Sequence, residues 1–289
     1  MEAELPLHDT EIQIDLEDNT IEVSSIEEKN NEVRDPILDV LEQVNIENLF
    51  KDRWHVGGRR SARGPYMSAF IFATKAGTDI IDLNKTAYLF KKALIAVRKA
   101  VSRGEKILFV GTESHTSNVV KTHADRCAQY CIHRRWLGGL LTNWNNTFSN
   151  SINQMKNLQK QIDEGEINHL TKREKMSLIR KRDRFLKFLD SVKDMGTLPG
   201  MVVVTSNREK NVIKEAQILG IPVILLMDTT SNPERILYPV PGNDRSIKVT
   251  EMFCSLIADA CLLGVKDELV RVAKRQEKKQ IAAKNNENS

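Results

Sequence analysis

Arg134-Arg135-Trp136-Leu137-Gly138-Gly139-Leu140-Leu141-Thr142-Asn143-Trp144 packs two cations, two indoles, a glycine pair and an amide into eleven residues. Guanidinium groups suit phosphate bidentately, and an indole offers a flat face to a base. The glycines let the backbone turn or approach another backbone closely. The stretch contains no common nucleophile–base or metal-ligand spacing. Trp136, Leu137 and Trp144 also suit a plainer role, plugging the base of an adjoining element into the core. A second stretch, Trp54 to Pro65, reads as a loop carrying Arg59, Arg60 and Arg63 among glycines, a composition suited to gripping phosphate with side chains and backbone N–H groups together.

Other polar candidates are weaker. His55 has no partner at ligand spacing. His123, Cys127, Cys131 and His133 fit no usual zinc pattern, so buried cysteines with incidental histidines are the simpler reading. Gly111-Thr112 ends a strand before a helix, as in a phosphate-binding corner. Yet neither G-x-G-x-x-G nor G-x-x-x-x-G-K-[ST] is present, so no cofactor is expected.

These residues must be positioned by the elements around them. Asp35 as N-cap and Pro36 at the first turn predict a short helix toward Phe50. Ala69–Thr74 and Asp79–Ile81 read as strands. Asp82 opens a helix through Ala100, with Phe90, Leu94, Val97 and Val101 on one face. Lys106–Val110 is a strand, followed by a helix to about Tyr130. Past Trp144, the spacing of Phe148, Ile152, Met155 and Ile162 is helical, and Gly165 breaks the run. Thr171 and Glu174 have capping-box spacing and start a second helix. The two form an antiparallel hairpin about 30 Å long per helix. Its outer side is basic and includes Lys172, Arg173 and Lys175. Then Met201–Val204 and Ile221–Met227 read as strands around a helix over Arg208–Leu219. Pro239–Asp244 reads as a loop, Arg245–Leu263 as a helix, and a Lys-rich tail follows. Alternating strands and helices predict an α/β fold, a parallel sheet with helices on both faces.

Charge divides the chain. Residues 1–50 hold fifteen acidic and two basic side chains, a net of −13; residues 51–289 hold 41 Lys+Arg against 24 Asp+Glu, a net of +17. A body that basic favours a polyanion, nucleic acid first. Residues 1–34 alternate acids with apolar residues (Glu11-Ile12-Gln13-Ile14-Asp15-Leu16) and predict a partner-ordered or disordered extension. Four cysteines without a loop-rich scaffold argue for a reducing compartment, and no apolar run reaches the ~20 residues that span a bilayer.

The ordered series of motifs resembles the universal small-subunit ribosomal protein 2 family, of bacterial and organellar type. Arg135–Trp144 matches its R-W-L-G-G-x-L-T-N-W. Ile80-Ile81-Asp82-Leu83, Ile107–Thr112, Lys193–Gly196 with Leu198-Pro199, Gly220–Val223, Asp228-Thr229 and Pro241–Asp244 follow the same family in order. The sequence departs from it where Gly58 replaces a His, Tyr66 a Lys, and Glu113 a common Lys. The resemblance implies a Rossmann-like (flavodoxin-like) domain with an inserted α-helical coiled-coil hairpin. It also implies a non-catalytic role on small-subunit ribosomal RNA and neighbouring ribosomal proteins, with no membrane and no small-molecule substrate. The expected domains are the acidic extension 1–50, the αβα body 51–143 and 195–265, the hairpin 144–194 and a basic tail 266–289. The expected RNA-binding residues are Arg59, Arg60, Arg63, Arg134, Arg135, Trp136, Asn143, Trp144, Lys172, Arg173 and Lys175. A mitochondrial ribosome is the first setting, a bacterial cytoplasm the second. The competing classes are a nucleotide-dependent Rossmann enzyme and a basic protein-interaction adaptor.

Overall fold

Three runs of consecutive apolar residues, Ile-Leu-Phe-Val, Met-Val-Val-Val and Val-Ile-Leu-Leu-Met, have every side chain buried. Such runs belong at the centre of a parallel sheet covered on both faces. The computed structural model describes residues 35–144, 149–165, 171–189, 192 and 195–287. Its elements are α1 (Pro36–Gln43), α2 (Ile46–Lys51), β1 (Val56–Arg59), β2 (Ile71–Lys75), β3 (Thr78–Ile81), α3 (Leu83–Ser102), β4 (Ile107–Val110), α4 (Ser117–Arg126) and β5 (Tyr130–Ile132). After these come α5 (Ser149–Asp163), α6 (Lys172–Leu189), β6 (Met201–Val204), α7 (Lys210–Ile218), β7 (Val223–Met227), β8 (Tyr238–Pro241) and α8 (Ile247–Glu287).

The main sheet runs β5-β4-β6-β7-β8, with every neighbouring pair parallel. Numbered within the sheet this is the order 2-1-3-4-5 of a flavodoxin-like doubly wound fold. Strand periodicity then divides the core in two. Ile107, Phe109, Met201, Val203, Ile224 and Leu226 face α3, α4 and α8. Their alternates Leu108, Val110, Val202, Val204, Leu225 and Met227 face α7 and the segment from Trp136 to Trp144. A second, antiparallel sheet, β1-β3-β2, is seated on the loop that leaves the carboxyl end of β7.

Several elements differ from their sequence reading. The helix toward Phe50 is two: Val44 leaves helical geometry and the Asn45 side chain caps α2 through Asn48 N–H at 2.7 Å. Val56–Arg59, read as loop, is a strand on β3. The helix read to Tyr130 stops at Arg126, where Ala128 takes a positive φ of 52°, and Tyr130–Ile132 returns to the sheet as β5. Pro239 and Pro241, read as turn formers, lie in β8, an edge strand that tolerates residues without an N–H. The final helix runs past Leu263 to Glu287. The reading of residues 1–34, and the place of Phe148, lie outside the described residues.

Helices α5 and α6 pack against each other, with Ile152, Met155 and Leu158 of α5 buried. The capping box forms as expected: Thr171 N–H reaches the Glu174 carboxylate at 2.9 Å, and Thr171 Oγ1 accepts from Glu174 N–H at 3.4 Å.

Candidate nucleic-acid interface

The segment from Trp136 to Trp144 leaves the carboxyl end of β5 and closes over one face of the sheet. Gly139 takes a φ of +82°, which a side chain would strain, and the turn it makes points several donors inward. They converge on one carboxylate, Glu215 of α7. Trp136 Nε1–H donates to Oε1 at 2.9 Å and Gly139 N–H to the same oxygen at 2.8 Å. Leu141 and Thr142 N–H donate to Oε2 at 3.0 and 3.4 Å. The donors that the sequence offers to phosphate are therefore consumed internally by a buried acid.

Of the two roles that the sequence allows the indoles, their packing favours the one in the core. Trp136 and Trp144 are 9% and 4% exposed and belong to the core with Leu140, Leu141 and Val212. Neither presents a face to a base. What the turn leaves outside is Arg134, Arg135, Gly138, Thr142 and Asn143.

The other arginine loop divides in the same way. Arg59 and Arg60 are exposed. Arg63 instead grips Asp79 with two bonds, Nε–H at 2.9 Å and Nη2–H at 2.7 Å, and also meets Thr74 Oγ1 at 3.1 Å. Asp79 is fully buried, and the guanidinium beside it holds its carboxyl below the usual carboxylate range. Arg63 is thus the counter-charge of a buried acid, a role that leaves less of its guanidinium for a phosphate grip.

Topology brings Arg134 and Arg135 to the same end of the sheet as Arg59 and Arg60. The first pair follows β5; the second sits beside the loop after β7, where Gly58 N–H donates to Thr229 Oγ1 at 2.8 Å. Three strand spacings separate β5 from β7, roughly 14 Å. Arg208 and Arg245 are exposed at the same end. Lys172, Arg173 and Lys175 are not brought there by the sheet; they open α6, beyond the fifteen residues of α5.

A doubly wound sheet of this order places ligands at the carboxyl ends of the strands where the winding reverses, between β4 and β6. Here that crevice is filled by the chain's own acids. Thr112 N–H and Oγ1–H both donate to Glu209, the N–H at 3.1 Å. Ser206 Oγ–H donates to Asp244 at 2.8 Å. A Cβ on Gly111 would come within 2.6 Å of Val120 and 2.7 Å of Thr205. Glu113, one of the departures noted above, pairs with Arg208 at 3.1 Å. Burial, together with Asp228 and Glu113 nearby, pushes the Asp244 carboxyl up. A phosphate entering this corner would meet carboxylates where a nucleotide enzyme presents free N–H groups.

The four cysteines are free and buried, and Cys127 Sγ–H donates to His123 O at 3.2 Å. No group of three or more His, Cys, Asp and Glu is arranged to hold a metal among the described residues, and no helix there is long and apolar enough to cross a membrane. Glu215 is the site residue that the sequence reading missed. Its signal is an acid set between Val212, Ile213 and Ala216 on the buried face of α7.

The family model described as Ribosomal protein S2 matches residues 49–264. Curated relatives named Small ribosomal subunit protein uS2 agree. That of Neorickettsia sennetsu is 38% identical over 235 residues, covering 80% of this chain and 78% of the relative. That of Parvibaculum lavamentivorans is 39% identical over 226 residues, covering 78% and 88%, and that of Maricaulis maris 40% over 229, covering 78% and 79%. With the motif from Arg135 to Trp144 folded as one turn on the sheet, the chain belongs to the ribosomal protein S2 family.

Proposed function

We propose that this protein is a non-catalytic constituent of the small ribosomal subunit, binding small-subunit ribosomal RNA and neighbouring ribosomal proteins in support of translation. The observation that carries the reading is the S2 match across the folded body. The net charge of +17 over residues 51–289 agrees with it. Arg59, Arg60, Arg134 and Arg135, exposed at one end of the sheet, are the proposed centre of the RNA contact, with Asn143 beside them. Lys172, Arg173 and Lys175 extend it along residues 144–194, which we read as a coiled-coil hairpin inserted in the body. Trp136, Trp144 and Arg63 act from beneath, by holding that surface in place.

The acids at the β4–β6 crevice argue against the nucleotide-enzyme alternative, since an anion there would be repelled by Glu209, Asp244 and Glu113. The departures at Gly58, Tyr66 and Glu113 are the ground for proposing a mitochondrial ribosome as the setting. The competing setting is a bacterial cytoplasm, and cell fractionation separates the two. The test of function is sedimentation: the protein should co-migrate with the small subunit at moderate salt. Binding to isolated RNA should also weaken with salt, with a log–log slope of about −0.7 per phosphate neutralised on single strands. Stoichiometric NAD or ATP binding, abolished at Gly111 or Thr112, would overturn the reading.

A further inference from the structure

At the opposite, amino end of the sheet lies a groove of about 630 Å³ between α3 and the segments that enter β6, β7 and β8. Its floor is apolar, including Ile95, Met201, Ile221 and Pro222, and Tyr88 and Tyr238 flank it. Its rim is cationic: Lys91, Lys92, Lys99 and Arg103. The acid on that rim, Glu105, is taken by Arg103 through two bonds at 2.8 and 3.1 Å. The three lysines make no ion pair among the described residues. An apolar trough edged with ammonium groups suits a peptide that alternates acids with aliphatic side chains. It suits a nucleic acid less, because the floor offers no partner to polar base edges.

We infer that this groove is the intramolecular docking site of the acidic residues 1–34. Three observations select that occupant. Residues 1–34 carry eleven acidic and two basic side chains, and in Glu11-Ile12-Gln13-Ile14-Asp15-Leu16-Glu17 and Ile21-Glu22-Val23 acids, with the amide Gln13, alternate with aliphatic residues. The chain emerges from them at Asp35, whose carboxylate is held by Arg98 Nη1 at 2.6 Å. Arg98 belongs to α3, two turns beyond Lys91 on the same helix face and about 100° around the helix from Lys99, and it also holds Asp267 of α8. The tether thus begins on the helix that carries the rim. Twelve residues separate Asp35 from Val23 and reach about 40 Å when extended, against the roughly 22 Å of α3 from Tyr88 to Arg103. Tethering raises the local concentration to the millimolar range, so modest affinity is enough.

The placement keeps residues 1–34 away from the proposed RNA surface. Docked at the amino end, they leave Arg59, Arg60, Arg134 and Arg135 at the carboxyl end uncovered. The inference is independent of the ribosomal reading.

The experiment is zero-length carbodiimide coupling of the full chain at low salt, with the joined peptides identified by mass spectrometry. Expected are intramolecular amides from acids of residues 1–34 to Lys91, Lys92 and Lys99, exceeding those to Lys172 and Lys175 by about tenfold. Reversing Glu11, Asp15 and Glu17 to Lys leaves the folded body intact and should lower coupling of the remaining acids to those lysines. Even coupling across all exposed lysines would overturn the inference. So would amides found between differently isotope-labelled copies, which would place the segment on a partner. Loss of the amides on adding stoichiometric small-subunit RNA, with that RNA itself cross-linked to the groove, would overturn it in favour of an RNA site.

Discussion

The indole N–H of Trp136 and the carboxylate of Glu215 lie 2.9 Å apart, joining a turn to a helix 79 residues later in the chain. The same carboxylate gathers three backbone N–H groups of that turn. A charged acceptor that organises four donors is stronger than neutral pairs and fixes one geometry. It explains how a stretch with two adjacent glycines is held in one turn.

Removing that acceptor strands buried donors, each costing about 1–3 kcal/mol. Glu215→Ala should therefore destabilise the fold by about 3–5 kcal/mol, less than the plain sum because the turn relaxes. Glu215→Gln keeps one acceptor and should lose about half as much. Trp136→Phe, which removes one donor, should lose about 1–2 kcal/mol. Urea unfolding measures all three. A Glu215→Ala loss under about 0.5 kcal/mol, the size of a surface change, would show that the carboxylate does not hold the turn.

Arginines should separate by what they touch. Arg59→Ala with Arg60→Ala, or Arg134→Ala with Arg135→Ala, should reduce the salt slope of RNA binding by about 0.7 for each phosphate no longer neutralised, with little change in Tm. Arg63→Ala should do the reverse, lowering Tm because Asp79 stays buried without its counter-charge. The Asp79 carboxyl is held below its ordinary value, so its contribution is complete above the unfolded pKa and is lost as pH falls through the folded one. An Arg63 variant that alters the salt slope and spares Tm would return Arg63 to the RNA surface.

Where one signal dominates, the sequence was legible. The uninterrupted apolar runs of β4, β6 and β7 announced a central parallel sheet, and Asp35, Asp82 and Thr171 each cap the helix they were expected to cap. It was less legible where tertiary pairing decides. Val56–Arg59 is a strand because β3 lies beside it, and β8 holds two prolines because it is an edge. At the proposed interface, residue type drew attention to the motif but did not tell which of its side chains are buried. Trp136 and Arg63 look like ligand-binding groups until Glu215 and Asp79 are brought to them from distant positions.

Gly111 tests the closed crevice by volume. A Cβ there would meet Val120 Cγ2 at 2.6 Å and Thr205 Oγ1 at 2.7 Å, both fixed in a packed interior. Gly111→Ala should cost about 1–3 kcal/mol through overpacking and leave RNA affinity per folded molecule unchanged. Thermal unfolding and a binding isotherm on the same sample decide it. A neutral substitution would mean that the corner has room, reopening it to a ligand.

Asp244 tests the same crevice by charge. It is 6% exposed, and burial raises its carboxyl pKa, with Asp228 and Glu113 adding to the shift. The Ser206 hydrogen bond and Arg208 pull the other way without cancelling it. A folded pKa above the unfolded one means that the folded state holds the proton more tightly. The resulting stabilisation is complete below the unfolded pKa and is lost as pH rises through the folded one. Asparagine mimics the protonated acid in shape and charge, and the Ser206 hydroxyl can rotate to suit it. Asp244→Asn should therefore raise Tm near pH 7.5 by about 2–4 °C, the equivalent of roughly 1 kcal/mol in a chain of this size. The gain should shrink steadily as the pH is lowered toward 4. Calorimetry across that range reads both features, and a Tm that falls at pH 7.5, or a gain independent of pH, would show that the ionised carboxylate is favoured in the fold.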